Sequence, residues 1–246
     1  MQVKQIANLF KLMEFFVRAK QPLSVREIVD EFGWPRSSVF NIVSTLVDQG
    51  YLYQPGARGG YYPTARWMDL ARAFADSQPL PASVHQLLEV LMQKTGETMV
   101  LAAPDGTHAL LLDVVESPAA VRYTADIGAR IPIQVTSAGR AILSQYGPGE
   151  RAALLQRVDY QAFQQSAFPG PEAVEADILR SSERGWFVNL EDFARGLAGV
   201  AVPFAFRGRR NALVLGAPVS RIDGRLDELG SLLKEAVATF IHSHEN

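Results

Sequence analysis

The sequence predicts an α+β protein in two parts: a small helical part ending in a hairpin, and a larger part of strands set between helices. Three observations carry this. Residues 1–50 hold three short runs of helical apolar periodicity, parted by Pro and Gly. "DSQPLP" at 76–81 places two helix-breaking prolines in a polar stretch. Beyond it, apolar runs of strand length lie among longer amphipathic ones.

In order, residues 3–19 set Ile6, Leu9, Phe10, Leu12, Met13, Phe16 and Val17 at helical spacing, and Pro22 follows. Ser24 precedes Glu27 by three, a capping box for a second helix that buries Ile28, Val29 and Phe32 and stops at Gly33. Pro35 suits the first turn of a third helix. Its inward stripe is Val39, Ile42, Val43, Leu46 and Val47, and Gly50 ends it. A Gly-containing turn between the second and third helices reads as a helix-turn-helix. "YLY", "QPGARGG" and "YYP" then read as two short strands around a loop, a wing. Thr64 can cap a further helix carrying Trp67, Met68, Leu70, Ala71 and Phe74.

The larger part opens with a helix at about 82–95 that ends at Gly96. "ETMVLAAPDGTHALLLDVVE" reads as two strands around an Asp-Gly turn. "AVRYTADIGARIPI" contains one strand or two. Helical patterns occupy about 136–146, 149–158 and 171–184, and another runs from about 223 to 243. "WFVNLEDF", "LAGVAVPFAF" and "NALVLGAPV" are strands, with "RGRR" turning between the last two. One sheet covered by helices is expected.

Composition bounds the chemistry. The 246 residues are 48% hydrophobic and 20% charged, a globular balance. The absence of cysteine excludes disulfides, thiolate catalysis and Cys-type zinc sites. No apolar run approaches the ~20 residues of a membrane span, and the N-terminus lacks a signal-peptide cleavage site. A cytoplasmic protein without membrane association is expected. The net charge is −2; residues 1–62 hold seven bases and five acids, a net +2, leaving −4 elsewhere. That asymmetry permits a DNA-binding N-terminal part without demanding one.

On the third helix Arg36, Ser37, Ser38, Phe40, Asn41, Ser44 and Thr45 face outward, as does Asp48. Small hydroxyls, an amide and a base can reach phosphates and base edges with little desolvation cost, and Asn can pair bidentately with adenine. The alternative is an ordinary solvated helix face. Arg58, between the wing glycines, is placed for a phosphate. Phe40 is expected against the wing or the phosphate–sugar wall rather than on a thymine methyl.

Nothing marks an enzyme. His85, His108, His242 and His244 show no metal-ligand spacing, and "HSH" reads as a frayed tail. There is no nucleophile elbow and no Gly-rich phosphate loop, and Glu191 and Asp192 would point to opposite faces of a strand. No cofactor or metal is expected. A possible pocket is signalled by Thr136, Ser137, Ala138 and Gly139 at a helix start, where free N–H groups favour a carboxylate, although simple capping explains them as well. Gly196, Gly199 and Gly216 interrupt apolar strands, where glycine can mark a bulge or a close approach by a ligand.

"LSVREIVDEFGWPRSSVFNIVSTLVDQGYL", "YYPTARWMDLARAF", "GETMVLAAPDGTHALLLDVVES", "IGARIPIQVTSAGRAILS", "RGWFVNLEDFARGLAGVAVPF" and "ALVLGAPVSR", in this order, resemble the IclR family of bacterial transcriptional regulators. The fourth is the most specific, because the family carries Gly, Pro and then an Ala-x-Gly-Lys-Ala-like helix start there. The resemblance implies a winged helix-turn-helix DNA-binding domain over 1–63, a linker helix over 64–80, and a GAF-like (PAS-related) α/β effector-binding domain over 81–246. It implies a homo-oligomer, dimer or dimer of dimers, on palindromic double-stranded DNA, sensing a small organic acid. Carried over residue by residue, Ser137 and Ala138 meet the ligand carboxylate, Val121 and Tyr123 cover it, and Leu197 is an apolar wall. Asn189 stands where many members have Asp, Gly199 where many have Cys, and Val214 and Gly216 where Ser is common. These departures imply a roomier, more apolar pocket and a ligand larger than glyoxylate or pyruvate, such as an aromatic acid. Members often carry Arg at Asn41 and Lys at Arg36, so the operator sequence does not transfer. The competing readings are a metabolite-binding module whose winged domain docks protein, and an enzyme acting on small acids.

Overall fold

The computed structural model describes residues 3–56, 59–76, 82–163 and 166–245. The chain divides into two compact units, residues 1–78 and 79–246.

The first unit contains α1 (Lys4–Ala19), α2 (Val25–Phe32), α3 (Arg36–Asp48), a two-stranded ribbon of β1 (Leu52–Tyr53) and β2 (Tyr62–Pro63), and α4 (Arg66–Asp76). The expected capping box opens α2: Ser24 Oγ accepts from the Glu27 N–H at 3.2 Å, and the Ser24 N–H donates to the Glu27 carboxylate at 2.8 Å. Gly33 ends the helix at φ 63°, a left-handed conformation that side chains with a Cβ resist. Phe32 stacks on Trp34 at 4.2 Å and meets Phe15 edge-on at 5.5 Å, so the turn into α3 is fixed by ring contacts. Pro35 caps α3 from just outside rather than sitting in its first turn.

Two stripes differ from expectation. On α3, Val39, Val43 and Leu46 are buried and Ile42 packs beside them, but Val47 is exposed. On α1, Leu12 and Phe16 enter the core, whereas Ile6, Phe10 and Val17 face solvent. At 3.6 residues per turn, Val3, Ile6, Phe10 and Val17 fall within about 60° of one another. The helix is thus apolar on two faces, and periodicity alone merged them.

The wing is tied back to the start of α2. Leu23 and Tyr61 exchange N–H···O bonds of 2.9 and 2.8 Å. The approach is so close that a Cβ on Gly60 would lie 2.4 Å from the Leu23 carbonyl carbon. Thr64 donates to the Gly50 carbonyl at 2.6 Å, and the Trp67 indole donates to the Tyr51 carbonyl at 3.1 Å. The start of α4 is therefore bonded to the segment joining α3 to the wing.

The second unit is a six-stranded antiparallel sheet: β3 (Thr98–Asp105), β4 (His108–Val115), β5 (Arg130–Pro132), β6 (Phe187–Leu190), β7 (Leu197–Phe206) and β8 (Arg209–Pro218). The spatial order is β5-β4-β3-β8-β7-β6. Both faces are covered, which is why the strands read as unbroken apolar runs. Met99, Leu101, Leu213 and Leu215 point to α5 (Ala82–Thr95) and α10 (Leu226–Glu245). Val100, Ala102, Ala212 and Val214 point to α6 (Ser137–Leu143) and α8 (Pro171–Arg184). α7 (Pro148–Leu155) and the short α9 (Val219–Ile222) complete the unit. Only β5 forms within 120–133; residues 116–129 are otherwise irregular. The C-terminal "HSH" is not a frayed tail: α10 runs to Glu245, and the His244 ring stacks on Phe240 at 4.1 Å. No described helix is long and apolar enough to cross a membrane.

Candidate nucleic-acid interface and effector pocket

α3 presents Arg36, Ser37, Phe40, Asn41 and Thr45 to solvent, with Ser38 and Ser44 half-buried. The side chains of Arg36 and Asn41 make no hydrogen bond or ion pair among the described residues, so both are free to engage an external group. Ser44 and Thr45 differ. Their hydroxyls donate to the carbonyls of Phe40 and Asn41, four residues back, at 2.6 and 2.7 Å. They present lone pairs outward, and donating to a phosphate would require them to rotate. Phe40 is 56% exposed and lies outside the core cluster of the first unit. Arg58 lies outside the described residues.

In the second unit one row crosses four strands: Asn189 pairs with Gly199, Gly199 with Gly216, and Gly216 with Thr98. Residues directly opposite in an antiparallel sheet share a face. Asn189, Gly199 and Gly216 of this row are the floor of a cavity lined also by Tyr123, Ile131, Thr136, Ser137, Ala138, Phe193, Leu197, Ala198 and Val214. Thr136 caps α6, accepting from the Gly139 N–H at 3.2 Å while donating to the Pro132 carbonyl at 2.7 Å. Gly139 has no room for a side chain, since a Cβ would sit 2.0 Å from the Ile133 oxygen. α6 thereby packs hard onto the turn before it, and Ser137 is delivered over Gly199, whose Cβ would lie 2.9 Å from the Ser137 Oγ. The Ser137 hydroxyl makes no hydrogen bond among the described residues. Asn189 is 4% exposed, and its Oδ1 is buried without a partner. Tyr123 lies on Gly216, and burial pushes its phenol pKa up, which keeps it neutral.

The family profile described as "IclR helix-turn-helix domain" matches residues 5–56, and that described as "Bacterial transcriptional regulator IclR C-terminal" matches residues 72–241. The chain belongs to the IclR family. The Acetate operon repressor of Salmonella typhimurium is 30% identical over 246 residues, covering 96% of this chain and 88% of that protein. The Transcriptional repressor IclR of Escherichia coli is 28% identical, with the same coverage of 96% and 88%. The crystal structure of Thermotoga maritima IclR shares the fold at TM-score 0.77 and 19% identity, covering 98% of this chain and 99% of that one. So does an IclR homolog from Microbacterium hydrocarbonoxydans complexed with 4-hydroxybenzoate, at TM-score 0.69 and 20% identity, covering 98% and 100%.

This IclR-family protein is a DNA-binding transcriptional regulator. Glu191 and Asp192 act as backbone caps, accepting from the N–H groups of Gly196 and Ala167. The structure gathers Tyr123, Ser137, Ala138, Asn189, Leu197, Gly199, Val214 and Gly216 around one cavity. Val121 is excluded. Its side chain is 71% exposed, and its carbonyl instead accepts from Arg221 at 2.6 Å, because an irregular segment need not keep the alternation of a strand. The cavity is also not roomy as it stands. Its volume is about 40 Å³, an order of magnitude below the ~300 Å³ where ligand pockets begin. The space left by Gly216 is taken by the Tyr123 ring, and that left by Gly199 by Ser137.

The sequence reading missed Ile131, Phe193 and Ala198 as lining residues, and Arg140 as a support. Arg140 is fully buried, bonded to Asp177 at 2.7 Å, to the Gln134 carbonyl at 3.1 Å and to the Val188 carbonyl, with its guanidinium 3.8 Å from the Phe168 ring centre. Position 140 belongs to the family's helix-start motif, where a cation was the available signal.

Proposed function

We propose that this regulator reads a palindromic operator through α3 of two symmetry-related copies, and that its effector is an aromatic acid bearing a hydroxyl group. The observation that carries the effector reading is Asn189: a buried amide oxygen without a donor, over a floor of glycines, facing a cavity that also holds the unbonded Ser137 hydroxyl. A buried acceptor left unpaired costs about 1–3 kcal/mol, and a ligand hydroxyl supplies the missing donor. Ser137 can donate to the ligand carboxylate, and Leu197, Val214, Ile131 and Phe193 supply apolar walls. The Microbacterium homolog complexed with 4-hydroxybenzoate supports this ligand class.

Calorimetry should show 4-hydroxybenzoate binding more tightly than pyruvate or glyoxylate. Asn189→Ala should lose about tenfold for 4-hydroxybenzoate and little for benzoate. Tight pyruvate binding with inert benzoates would overturn the ligand class.

Pairing of two copies is supported by α1. Its outward stripe of Val3, Ile6, Phe10 and Val17 is an apolar surface left exposed among the described residues of the first unit. The weak net positive charge of the first unit supports it too, since a single copy would gain little from phosphates.

A further inference from the structure

We infer that Arg221, gripped by the buried carboxylate of Glu97, is the latch of a strap, residues 118–127, that closes the effector cavity and sets how readily it admits a ligand. This rests on the effector reading above. The strap has no helix or strand. It is hinged at Ser117, which donates from its N–H to Thr98 Oγ1 at 3.1 Å and from its hydroxyl to the Gly96 carbonyl at 2.6 Å. The other hinge is Gly128, whose N–H donates to the Leu111 carbonyl at 2.8 Å.

Between the hinges, two long-range bonds tie the strap to the body. Thr98 donates to the Tyr123 carbonyl at 2.6 Å, and Arg221 donates to the Val121 carbonyl at 2.6 Å. The remaining strap bonds are local, such as Arg122 to Glu116, just before the first hinge, at 3.0 Å, and the Ala129 N–H to the Asp126 carbonyl at 3.0 Å. The outward Val121 and Ile127 side chains contribute little burial, so hydrophobic packing holds the strap chiefly through Tyr123 and Ala125.

The geometry makes Arg221 a positioning residue. Glu97 is 4% exposed, and a carboxylate that deep is costly unless paired. Arg221 pairs with it bidentately, its Nε at 2.7 Å from Oε1 and its Nη2 on Oε2. The fork is thereby fixed, and its remaining arm points at the strap. Arg221 lies in α9, three residues past the end of the strand bearing Gly216, and Glu97 immediately precedes β3, which pairs with that strand. The latch is therefore built just beyond the neighbouring ends of β8 and β3, and β8 contributes Val214 and Gly216 to the cavity. Closed, it holds the Tyr123 ring where a Cβ on Gly216 would be 2.4 Å away. An aromatic ligand has to displace that ring. Closure then opposes binding, and apparent affinity scales with the open fraction.

The test uses the full-length protein. Arg221→Lys keeps a charge for Glu97 but loses the fork. The double variant Glu97→Gln, Arg221→Gln removes both charges, so one of the two remains interpretable if burial upsets folding. Hydrogen exchange at 119–127 should quicken by about tenfold while β7 and β8 amides are unchanged. 4-Hydroxybenzoate should bind several-fold more tightly, a gain that general loosening of the structure would not produce. Unchanged strap exchange in both folded variants overturns the latch, and so does weaker binding alongside faster exchange. If exchange responds but neither wild type nor variants bind any aromatic or aliphatic acid tried, the latch stands and the effector reading fails.

Discussion

Arg140 shows what one side chain can organise. Burial pushes its pKa down and Asp177 opposes that, and the guanidinium stays charged because its ordinary value is so high. Its bonds reach α8 through Asp177, the turn before α6 through Gln134, and β6 through Val188, the neighbour of Asn189. Arg140→Ala would leave Asp177 with only its longer contacts to Ser181 at 3.4 Å and Arg180 at 3.7 Å, and would remove the guanidinium donor from two carbonyls. We expect a loss of about 3–5 kcal/mol in denaturant unfolding of the second unit, with Arg140→Lys intermediate because one ammonium cannot serve three acceptors. Gly139 beside it is constrained by space: the obstacle to a Cβ is the Ile133 backbone, which cannot rotate away. On α3 the corresponding single residue is Asn41, exposed and unbonded. Asn41→Ala should cost about 1–3 kcal/mol of operator affinity and relax specificity at one base pair. Arg36→Ala should weaken all sequences alike and lower the salt slope by about one. Equal, sequence-independent losses in both variants would remove the base-reading role from Asn41.

Among the elements, α2 rests on its capping box. Ser24→Ala should destabilise the first unit by about 1 kcal/mol, read from its thermal or urea transition. The box also titrates. Hydrogen bonds from the Ser24 N–H and hydroxyl lower the Glu27 pKa below its ordinary 4.5. A lowered carboxylate pKa stabilises the fold above the unfolded value, and that contribution is lost as pH falls through the folded one. The difference between wild type and Glu27→Gln should therefore shrink as pH drops below about 4.5; a constant difference would mean the carboxylate charge plays no part. This box was legible in the sequence because a cap is local: two residues three apart declare it. The long strands were legible for a related reason, since a sheet covered on both faces must be apolar throughout. α1 was half legible. Its periodicity marked a helix, but no sequence pattern says which of two apolar faces meets its own core. Of the strap, only the place of Tyr123 over the pocket was legible, through the family resemblance; its attachments were not. It is held by Thr98 and Arg221, residues 25 and 100 positions from their acceptors, and no local rule connects them. The filling of the Gly216 space by Tyr123 escaped for the same reason: the missing side chains were visible, and the ring that replaces them was not.

For the whole molecule, the question is how a chain of net charge −2 holds DNA. Counterion release scales with phosphates neutralised, and one first unit with a net +2 offers few cations. Two copies would double the contacts and remove the translational cost of the second, so the proposed pairing would supply what charge does not. The α1 stripe is the surface available for it. Phe10, 62% exposed, contributes nothing to its own core, so Phe10→Asp should leave unfolding unchanged while shifting sedimentation toward smaller species. If α3 of each copy enters a major groove on one face of the duplex, the half-sites must be separated by about one turn, or 10–10.5 base pairs, or a multiple of it. Inserting about five base pairs between them rotates one half-site by roughly half a turn and puts its groove on the far side. Affinity in a mobility-shift titration should then fall to that of a single half-site. Inserting about ten base pairs restores the facing and should recover part of the loss, limited by how far the paired copies can reach. Phe10→Asp should bind all three duplexes with the weak affinity of the half-site. Indifference of the wild type to the five-base-pair insertion would mean that each copy binds alone, and the paired reading of α3 would have to be given up.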